Sequence, residues 1–181
     1  MARRVLCPDD EARPVIVPRN GRSLVPVSPE RIRRLREHLE RLFVSMRRDE
    51  PASMVRAGPA GFAARVADTA CALCRGWCCR NGGDDAFLDE STLARVSPDM
   101  MPAAEAIQLY MERVPDGAYH NSCIFHGAKG CALDRSMRSD VCNSYYCNGL
   151  HSFFALSEEP GPTVVISGEL DEMRLSRVLV P

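Results

Sequence analysis

The distribution of cysteine constrains this chain more than any other feature of its sequence. Eight of the nine cysteines lie between positions 71 and 147, and only Cys7 is remote. Buried thiols scattered through a core would not group in this way. A disulfide framework is disfavoured by the odd count and by the adjacent pair Cys78-Cys79, which cannot easily bridge within disulfide geometry. The grouping therefore favours metal ligation, with Cys7 as an unligated thiol.

Length and charge restrict the class of protein. The chain has 181 residues and is 45% apolar, which is enough for one compact domain with its own core. Its formal net charge of -1 gives no overall attraction to nucleic acid or to an anionic membrane, so we expect neither as a partner. An unidentified protein partner stays open. Lys129 is the single lysine beside many arginines, which is typical of GC-rich bacterial coding.

The sequence also predicts a compartment. It contains no apolar run of about 18 residues, so no transmembrane helix is expected. The start, MARRVLCPDDEARP, has basic residues but no apolar segment before its acidic residues, which argues against a classical signal peptide. We therefore expect a cytoplasmic protein whose thiols stay reduced.

Residues 1–27 are predicted to be extended. Two apolar segments, 15–17 and 24–27, flank an Asn-Gly dipeptide at 20–21, which is a strong hairpin-turn signal. Prolines at the ends of these segments restrict them to a sheet edge or a surface arm. The predicted organisation is an N-terminal arm or hairpin over 1–27 and a single domain over 28–181.

Helices are predicted over 28–48, 60–72 and 102–113. The first begins with Ser28 as cap and Pro29 at the first helical position. Its apolar side chains recur in steps of three and four, at Ile32, Leu35, Leu39, Leu42 and Met46. Short strands are expected at 87–88 and 163–166. The predicted class is α+β and mainly helical, a small single domain with irregular cysteine-rich loops that metal ligation would help to fold.

The cysteine spacings are those of metal ligands. Cys71 and Cys74 form a Cys-x2-Cys pair, which both zinc sites and iron–sulfur clusters use. Eight thiolates exceed one four-ligand site, so either two sites or one site with spare thiols is expected. Adjacent cysteines would close a strained ring on one metal, so Cys78 and Cys79 are expected to face different partners. The candidate ligands are Cys71, Cys74, Cys78, Cys79, Cys123, Cys131, Cys142 and Cys147.

Two histidines lie close to these cysteines. His126 follows Cys123 by three residues, and His151 follows Cys147 by four. Neutral imidazole is a common zinc ligand, so either histidine is a candidate. A solvent-facing or hydrogen-bonded histidine is the favoured interpretation for both.

Three further residues are candidates for the surroundings of a cofactor. Arg138 could offset thiolate charge and hydrogen-bond to sulfur, although a salt bridge to Asp134 or Asp140 is an equal alternative. Trp77, the only tryptophan, is predicted to shield the cluster from water. Tyr145 is predicted to pack around the site.

The order of the motifs resembles that of the bacterial YkgJ-type cysteine-cluster family, which is described by zinc or iron chelation. The shared order is Cys-x2-Cys-x3-Cys-Cys, a separate Cys, Gly-Cys-x-Leu, and Arg-x3-Cys-x2-Tyr-x-Cys. The matching positions are Cys71, Cys74, Cys78, Cys79, Cys123, Gly130, Cys131, Leu133, Arg138, Cys142, Tyr145 and Cys147. The resemblance covers roughly 71–147, less than half of the chain. Ser139 stands where the family usually has proline.

This resemblance implies metal chelation and leaves the reaction open. Flagellin lysine N-methylases carry a similar cysteine domain, which implies an alternative: an iron–sulfur enzyme that uses S-adenosylmethionine to methylate protein. A zinc-stapled protein-interaction module is the third alternative. All-thiolate ligation suits iron and zinc alike, and we favour a 4Fe–4S cluster because eight thiolates exceed the need of one structural zinc. No catalytic residue is identified, and whether the chain is an enzyme stays open.

Overall fold

The computed structural model describes residues 12–47, 51–54, 57–97, 101–156, 161–169 and 172–181. The fold is a mixed α+β arrangement with more helix than strand, which confirms the broad class expected from sequence. The chain divides into two compact units that alternate along the sequence. Unit 1 comprises Met1–Gly21, Gly58–Trp77 and Tyr146–Pro181, and unit 2 comprises Arg22–Ala57 and Cys78–Tyr145. The expected division after residue 27 stays a prediction.

The elements are short except for the first helix. In chain order they are β1 (Arg13–Pro18), β2 (Leu24–Pro26), α1 (Pro29–Ser45), α2 (Gly61–Cys74), a 3-10 helix (Trp77–Asn81), α3 (Glu90–Val96), α4 (Ala103–Met111), β3 (Gly117–Tyr119), β4 (His126–Gly127), β5 (Gly130–Cys131), a second 3-10 helix (Arg135–Met137), α5 (Asp140–Ser144), α6 (Asn148–Leu156), β6 (Thr163–Glu169) and β7 (Glu172–Leu179). In the part of the chain that the structure describes, no helix combines the length and the apolar composition needed to cross a bilayer.

Unit 1 is built on a three-stranded sheet in the order β1-β6-β7. Strand β1 runs parallel to β6 at one edge, and β7 runs antiparallel to β6. The edge position of β1 agrees with its prolines, which cannot donate to a ladder. Val15, Val17 and Val165 project into an apolar core that also takes up Val66 from α2 and Phe153 from α6.

The predicted N-terminal hairpin is wrong. Strand β1 pairs with β6, whereas β2 pairs with β3 in a separate two-stranded sheet. Asn20 does not form a hairpin turn and instead makes hydrogen bonds to the end of α2. Its backbone N–H donates to the Cys74 carbonyl at 2.8 Å, and its side-chain amide donates to the Arg75 carbonyl at 3.2 Å. Asn20 therefore satisfies carbonyls at the C-terminal end of α2, where helical carbonyls lack partners.

Unit 2 is organised around α1. The helix begins as predicted, because the Ser28 side chain accepts a hydrogen bond from the Arg31 backbone N–H at 3.3 Å. The predicted apolar stripe is buried at Leu35 and Leu39, in a core with Tyr110 from α4 and with Phe125. The helix ends at Ser45, and the predicted end at residue 48 lies outside the described residues.

Local predictions succeeded elsewhere to different degrees. The strand expected at 163–166 forms and continues to Glu169. The strand expected at 87–88 is wrong, since Ala86 and Phe87 have φ values of 54° and 57° in a tight turn. Such left-handed residues cannot belong to a pleated strand. Helix α6 and strand β7 were not predicted from the sequence.

Candidate metal centre

The structure distributes the eight candidate ligands between the two units. Unit 2 contains Cys78, Cys79, Cys123, Cys131 and Cys142, and unit 1 contains Cys71, Cys74 and Cys147. All eight are free thiols, so the described residues contain no disulfide between them. Cys7 lies outside the described residues. Only Cys123 and Cys147 fall outside helices and strands, so the expected cysteine-rich loops are largely short regular elements.

The two cysteine stretches of unit 2 meet at Cys79 and Cys123. The Cys123 backbone N–H donates to the Cys79 carbonyl at 2.9 Å, and the following Ile124 N–H donates to the Gly83 carbonyl at 2.9 Å. Gly82 lies directly beneath the Cys123 side chain. A Cβ at Gly82 would stand 2.9 Å from the Cys123 Cβ and 3.2 Å from its sulfur. The position thus needs glycine because the two chain segments approach so closely.

Cys142 is presented by the short helix α5. Ser139 caps this helix, and its side chain accepts from the Cys142 backbone N–H at 3.2 Å. The Cys142 sulfur lies 4.0 Å from the Ala86 carbonyl oxygen. The left-handed turn at Ala86 and Phe87 therefore brings a carbonyl group to this thiol.

The thiols of unit 2 affect one another's pKa values. A hydrogen bond with Cys78 and burial raise the pKa of Cys79, with further repulsion from Cys123 and Cys131. Burial raises the pKa of Cys123 to about 12, and repulsion from Cys131 and Cys142 adds to the increase. Cys78, which is exposed, has a lowered pKa because it shares the hydrogen bond with Cys79. Burial and the neighbouring thiols thus disfavour the thiolate forms of Cys79 and Cys123.

Burial also raises the pKa of Cys142, with repulsion from Cys131 and Cys78. Five thiols from four separate positions along unit 2 thus form one electrostatically linked group, which we call the thiol group: Cys78, Cys79, Cys123, Cys131 and Cys142. Clustered sulfur donors are the set that zinc, copper(I) and iron–sulfur clusters prefer.

The present side-chain positions do not form a completed ligand set. Within the described ranges, no three histidine, cysteine, aspartate or glutamate side chains are placed so that they could hold one metal ion. The sulfur donors of the thiol group are of the type that thiophilic metals prefer. Metal ligation therefore stays a prediction.

The thiols of unit 1 have a different setting. Cys74 is buried in the apolar core of unit 1, and its sulfur accepts from the Trp77 backbone N–H at 3.3 Å. Cys71 is exposed on the same helix. The Trp77 side chain packs against the apolar core of unit 1. The shielding role predicted for Trp77 stays a prediction, and its observed contact is with the hydrophobic core.

Arg138 lies near the thiol group but is anchored to the backbone. Its Nε donates to the Leu133 carbonyl at 2.8 Å, inside the segment that joins Cys131 to Cys142. Its positive charge acts on Cys142, where it opposes the increase in pKa. The aspartates considered as alternative partners pair with other arginines. The charge-compensating role of Arg138 stays a prediction.

The two histidines and Tyr145 differ in their surroundings. His126 is buried, with Nδ1 2.8 Å from the Ser122 hydroxyl and its ring 4.6 Å from that of Tyr119. This arrangement is the hydrogen-bonded one that the sequence favours. His151 makes an edge contact with the Tyr146 ring. Tyr145 is 54% exposed, so its predicted packing around a site is at most partial.

Two arginines that the sequence analysis did not select connect the cysteine-bearing segments of unit 2. Arg31 Nε donates to Asp84 at 2.5 Å, and its Nη2 donates to the Ser122 carbonyl at 2.6 Å. Arg95 donates to the Ser136 carbonyl at 2.9 Å and to the Asp140 carboxylate at 2.8 Å. Both are distant in sequence from the segments that they bind, so spacing gave no signal for them.

Comparison with known protein families, curated proteins and solved structures finds no match for this chain. The resemblance in cysteine order therefore stays a prediction, and the function must be argued from the residues themselves.

Proposed function

We propose that the chain binds a metal ion or an iron–sulfur cluster through cysteine thiolates, and that the thiol group of unit 2 supplies the ligands. The observation that carries this proposal is the meeting of Cys79 and Cys123, 44 positions apart, through a 2.9 Å backbone hydrogen bond. The other members of the group act on these two thiols electrostatically.

The electrostatics of the group support a bound cation. Thiols that raise one another's pKa are costly to ionise together, and a metal ion removes that cost because it binds the thiolate form. Binding therefore releases protons, and the affinity is expected to rise with pH.

The number of donors agrees with the common all-thiolate sites. A structural zinc ion or a 4Fe–4S cluster takes four cysteine ligands, and the thiol group has one thiol more. Cys78 and Cys79 are adjacent, so one of them is the natural member to remain unligated. The role of such a centre is structural or redox.

Metal analysis of matched variants tests the proposal. The protein is purified without oxygen, and its iron, zinc and acid-labile sulfide are measured together with the visible spectrum. The first variant carries Cys79→Ala, Cys123→Ala and Cys131→Ala in unit 2. The control carries Cys71→Ala, Cys74→Ala and Cys147→Ala in unit 1, so both lose three thiols.

We expect stoichiometric metal in the wild-type protein and a loss of about tenfold or more in the unit 2 variant. The control should retain metal within about twofold, while losing some stability because Cys74 is buried. Iron with equal sulfide and sulfur-to-iron charge-transfer absorption identifies a cluster, and colourless protein with zinc identifies a zinc site. Metal-free wild-type protein, or equal loss from both variants, contradicts the proposal.

A further inference from the structure

Helix α5, which carries Cys142, has little apolar packing to hold it in place. It has only five residues, Asp140–Ser144, and a helix this short is not stable by itself. Its one buried residue is the polar Asn143, whereas Val141 is 52% exposed and Cys142 is exposed as well. The position of this thiol therefore depends on polar contacts between α5 and its surroundings.

Arg95 of α3 binds the chain on both sides of the residue that caps α5, and its side chain is only 12% exposed. Its Nη1 donates to the Asp140 carboxylate at 2.8 Å, and its Nη2 donates to the Arg138 carbonyl. Between these two residues lies Ser139, whose hydroxyl accepts from the Cys142 backbone N–H at 3.2 Å. Arg95 therefore fixes both neighbours of the residue to which Cys142 is hydrogen-bonded.

The segment that leads into α5 is bound through its backbone in the same way. Arg95 Nε donates to the Ser136 carbonyl at 2.9 Å, and the Tyr110 hydroxyl donates to the Met137 carbonyl at 3.0 Å. Side chains from α3 and α4 thus bind neighbouring carbonyls of this segment. A guanidinium suits such a role, because its five N–H donors have a fixed geometry and the group stays charged.

We propose that Arg95 is a positioning residue for the metal centre: it anchors α5 so that Cys142 is held among the ligands. This inference rests on the proposed function, with Cys142 as one of the four thiolates. Residues that orient metal ligands typically change metal affinity by 10- to 100-fold when they are removed. Without Arg95, α5 is expected to shift and to leave the metal with one thiolate fewer.

A double-mutant cycle on the whole chain tests whether Arg95 acts through Cys142. Metal-free protein is loaded with cobalt(II) without oxygen, and the transfer of cobalt to excess chelator is followed by the thiolate charge-transfer absorbance. We expect Arg95→Gln to release cobalt about tenfold faster than wild type. Cys142→Ala should also release cobalt faster, and in that background Arg95→Gln should change the rate by less than about twofold. Each single variant should lose about a quarter of the charge-transfer absorbance, as expected for one of four thiolates.

A general loss of stability would give a different result. It would accelerate release by a similar factor in both backgrounds, because the effects of independent substitutions add. Arg113→Gln is the matched control, because Arg113 pairs with Asp134 at 3.8 Å, also in the segment between Cys131 and Cys142. The Asp134 side chain is 75% exposed and lies outside α5, so the loss of this pair should change the release rate by less than about twofold.

Each remaining result decides the inference. Release from Arg95→Gln at the wild-type rate overturns it, and so does equal acceleration in both backgrounds. Release from Cys142→Ala at the wild-type rate overturns it too, because Cys142 would then not be a ligand. Wild-type protein that takes up no cobalt contradicts the proposed function itself, which is a distinct result.

A second variant covers the case in which circular dichroism shows that Arg95→Gln does not fold. Arg95→Lys then replaces it in the cycle, since lysine keeps the charge but not the forked donors that bind the carbonyls. It should release cobalt more than about twofold faster than wild type, and it should have no further effect in the Cys142→Ala background. Any other order of rates contradicts the inference.

Discussion

Units 1 and 2 position their cysteines by different physical means. In unit 1, a sheet and two helices pack their apolar faces together, and Cys74 is one of the packed side chains. In unit 2, Cys123 also lies in an apolar core, but side-chain bonds to backbone groups hold the short segments that carry its cysteines as well. Arg31 and Arg95 reach across the sequence to such groups, and Ser139 caps the helix of Cys142.

Cysteines that lie close together in the sequence, such as Cys74 and Cys78, therefore need not have the same surroundings. A thiol on a helix face in an apolar core behaves as a small hydrophobic side chain. In unit 2, Cys123 is packed in the apolar core as well, and the neighbouring thiols Cys131 and Cys142 also act on it electrostatically. Substitutions in each unit test this comparison.

Helix α6 and strand β1 of unit 1 approach each other closely at Gly149, near the start of α6. A Cβ at this position would overlap the carbonyl oxygen of Ile16 in β1. Because backbone atoms cannot rotate away, we expect Gly149→Ala to lower the free energy of unfolding by about 3 kcal/mol or more. Urea unfolding of the purified protein measures this loss.

Gly161→Ala is the control for unit 1, since a Cβ there would meet only the end of the Arg13 side chain, at 3.9 Å. Its unfolding free energy should change by less than about 1 kcal/mol. Equal effects of the two substitutions would show that α6 does not pack closely against β1.

In unit 2 the corresponding close approach is at Gly82, and here we expect an effect on metal as well as on stability. A Cβ at Gly82 would press on Cys123 at 2.9 Å and displace its thiol. Gly82→Ala should cost about 1–3 kcal/mol of unfolding free energy and reduce the metal content. Gly127→Ala is the control, because the nearest atom to its Cβ would be a proline carbon at 3.4 Å. Full metal content in Gly82→Ala would show that Cys123 is not a metal ligand.

The sequence predicted those parts of the fold whose causes are local. Ser28 and Pro29 mark the start of α1, and the spacing of Leu35 and Leu39 identifies its buried face; both signals lie within a few turns of chain. The pairing of β1 with β6 joins residues about 150 positions apart, and nothing in either strand specifies that partner. The Asn-Gly dipeptide at 20–21 was misleading because Asn20 binds the end of α2 instead.

The candidate site was predictable to a similar extent. Cysteine type and order predicted the candidate donors without any structural information. Their division between two units was not predictable, since Cys71 and Cys79 are only eight positions apart yet belong to different units. The turn at Arg75 and Gly76, with φ values of 52° and 68°, ends α2 between them. Arg31 was not predictable, because its partners follow from tertiary packing and not from spacing.

The smallest expected loss of stability comes from removing a helix cap. Helix α3 of unit 2 has a side-chain cap, and α2 of unit 1 has none. Asp89 caps α3 and accepts from the backbone N–H of Thr92 at 2.8 Å. Burial acts to raise the pKa of Asp89, but hydrogen bonds from Thr92 and Ser91 outweigh it, so the pKa is lowered. Asp89→Ala should therefore cost about 1 kcal/mol of unfolding free energy near pH 7.

This cost depends on pH in a direction that the lowered pKa fixes. The carboxylate stabilises the folded state above the pKa of an unfolded aspartate, about 3.9, and that stabilisation is lost as the pH falls through the lower folded-state pKa. Urea unfolding between neutral and acidic pH should show the wild-type advantage over Asp89→Ala shrinking in this range. Ser28→Ala, which removes a cap without a charge, should cost the same at each pH. If the difference in unfolding free energy between wild type and Asp89→Ala stayed constant with pH, the Asp89 cap would act without ionisation, like that of Ser28. The charge of Asp89 would then contribute nothing to the stability of α3.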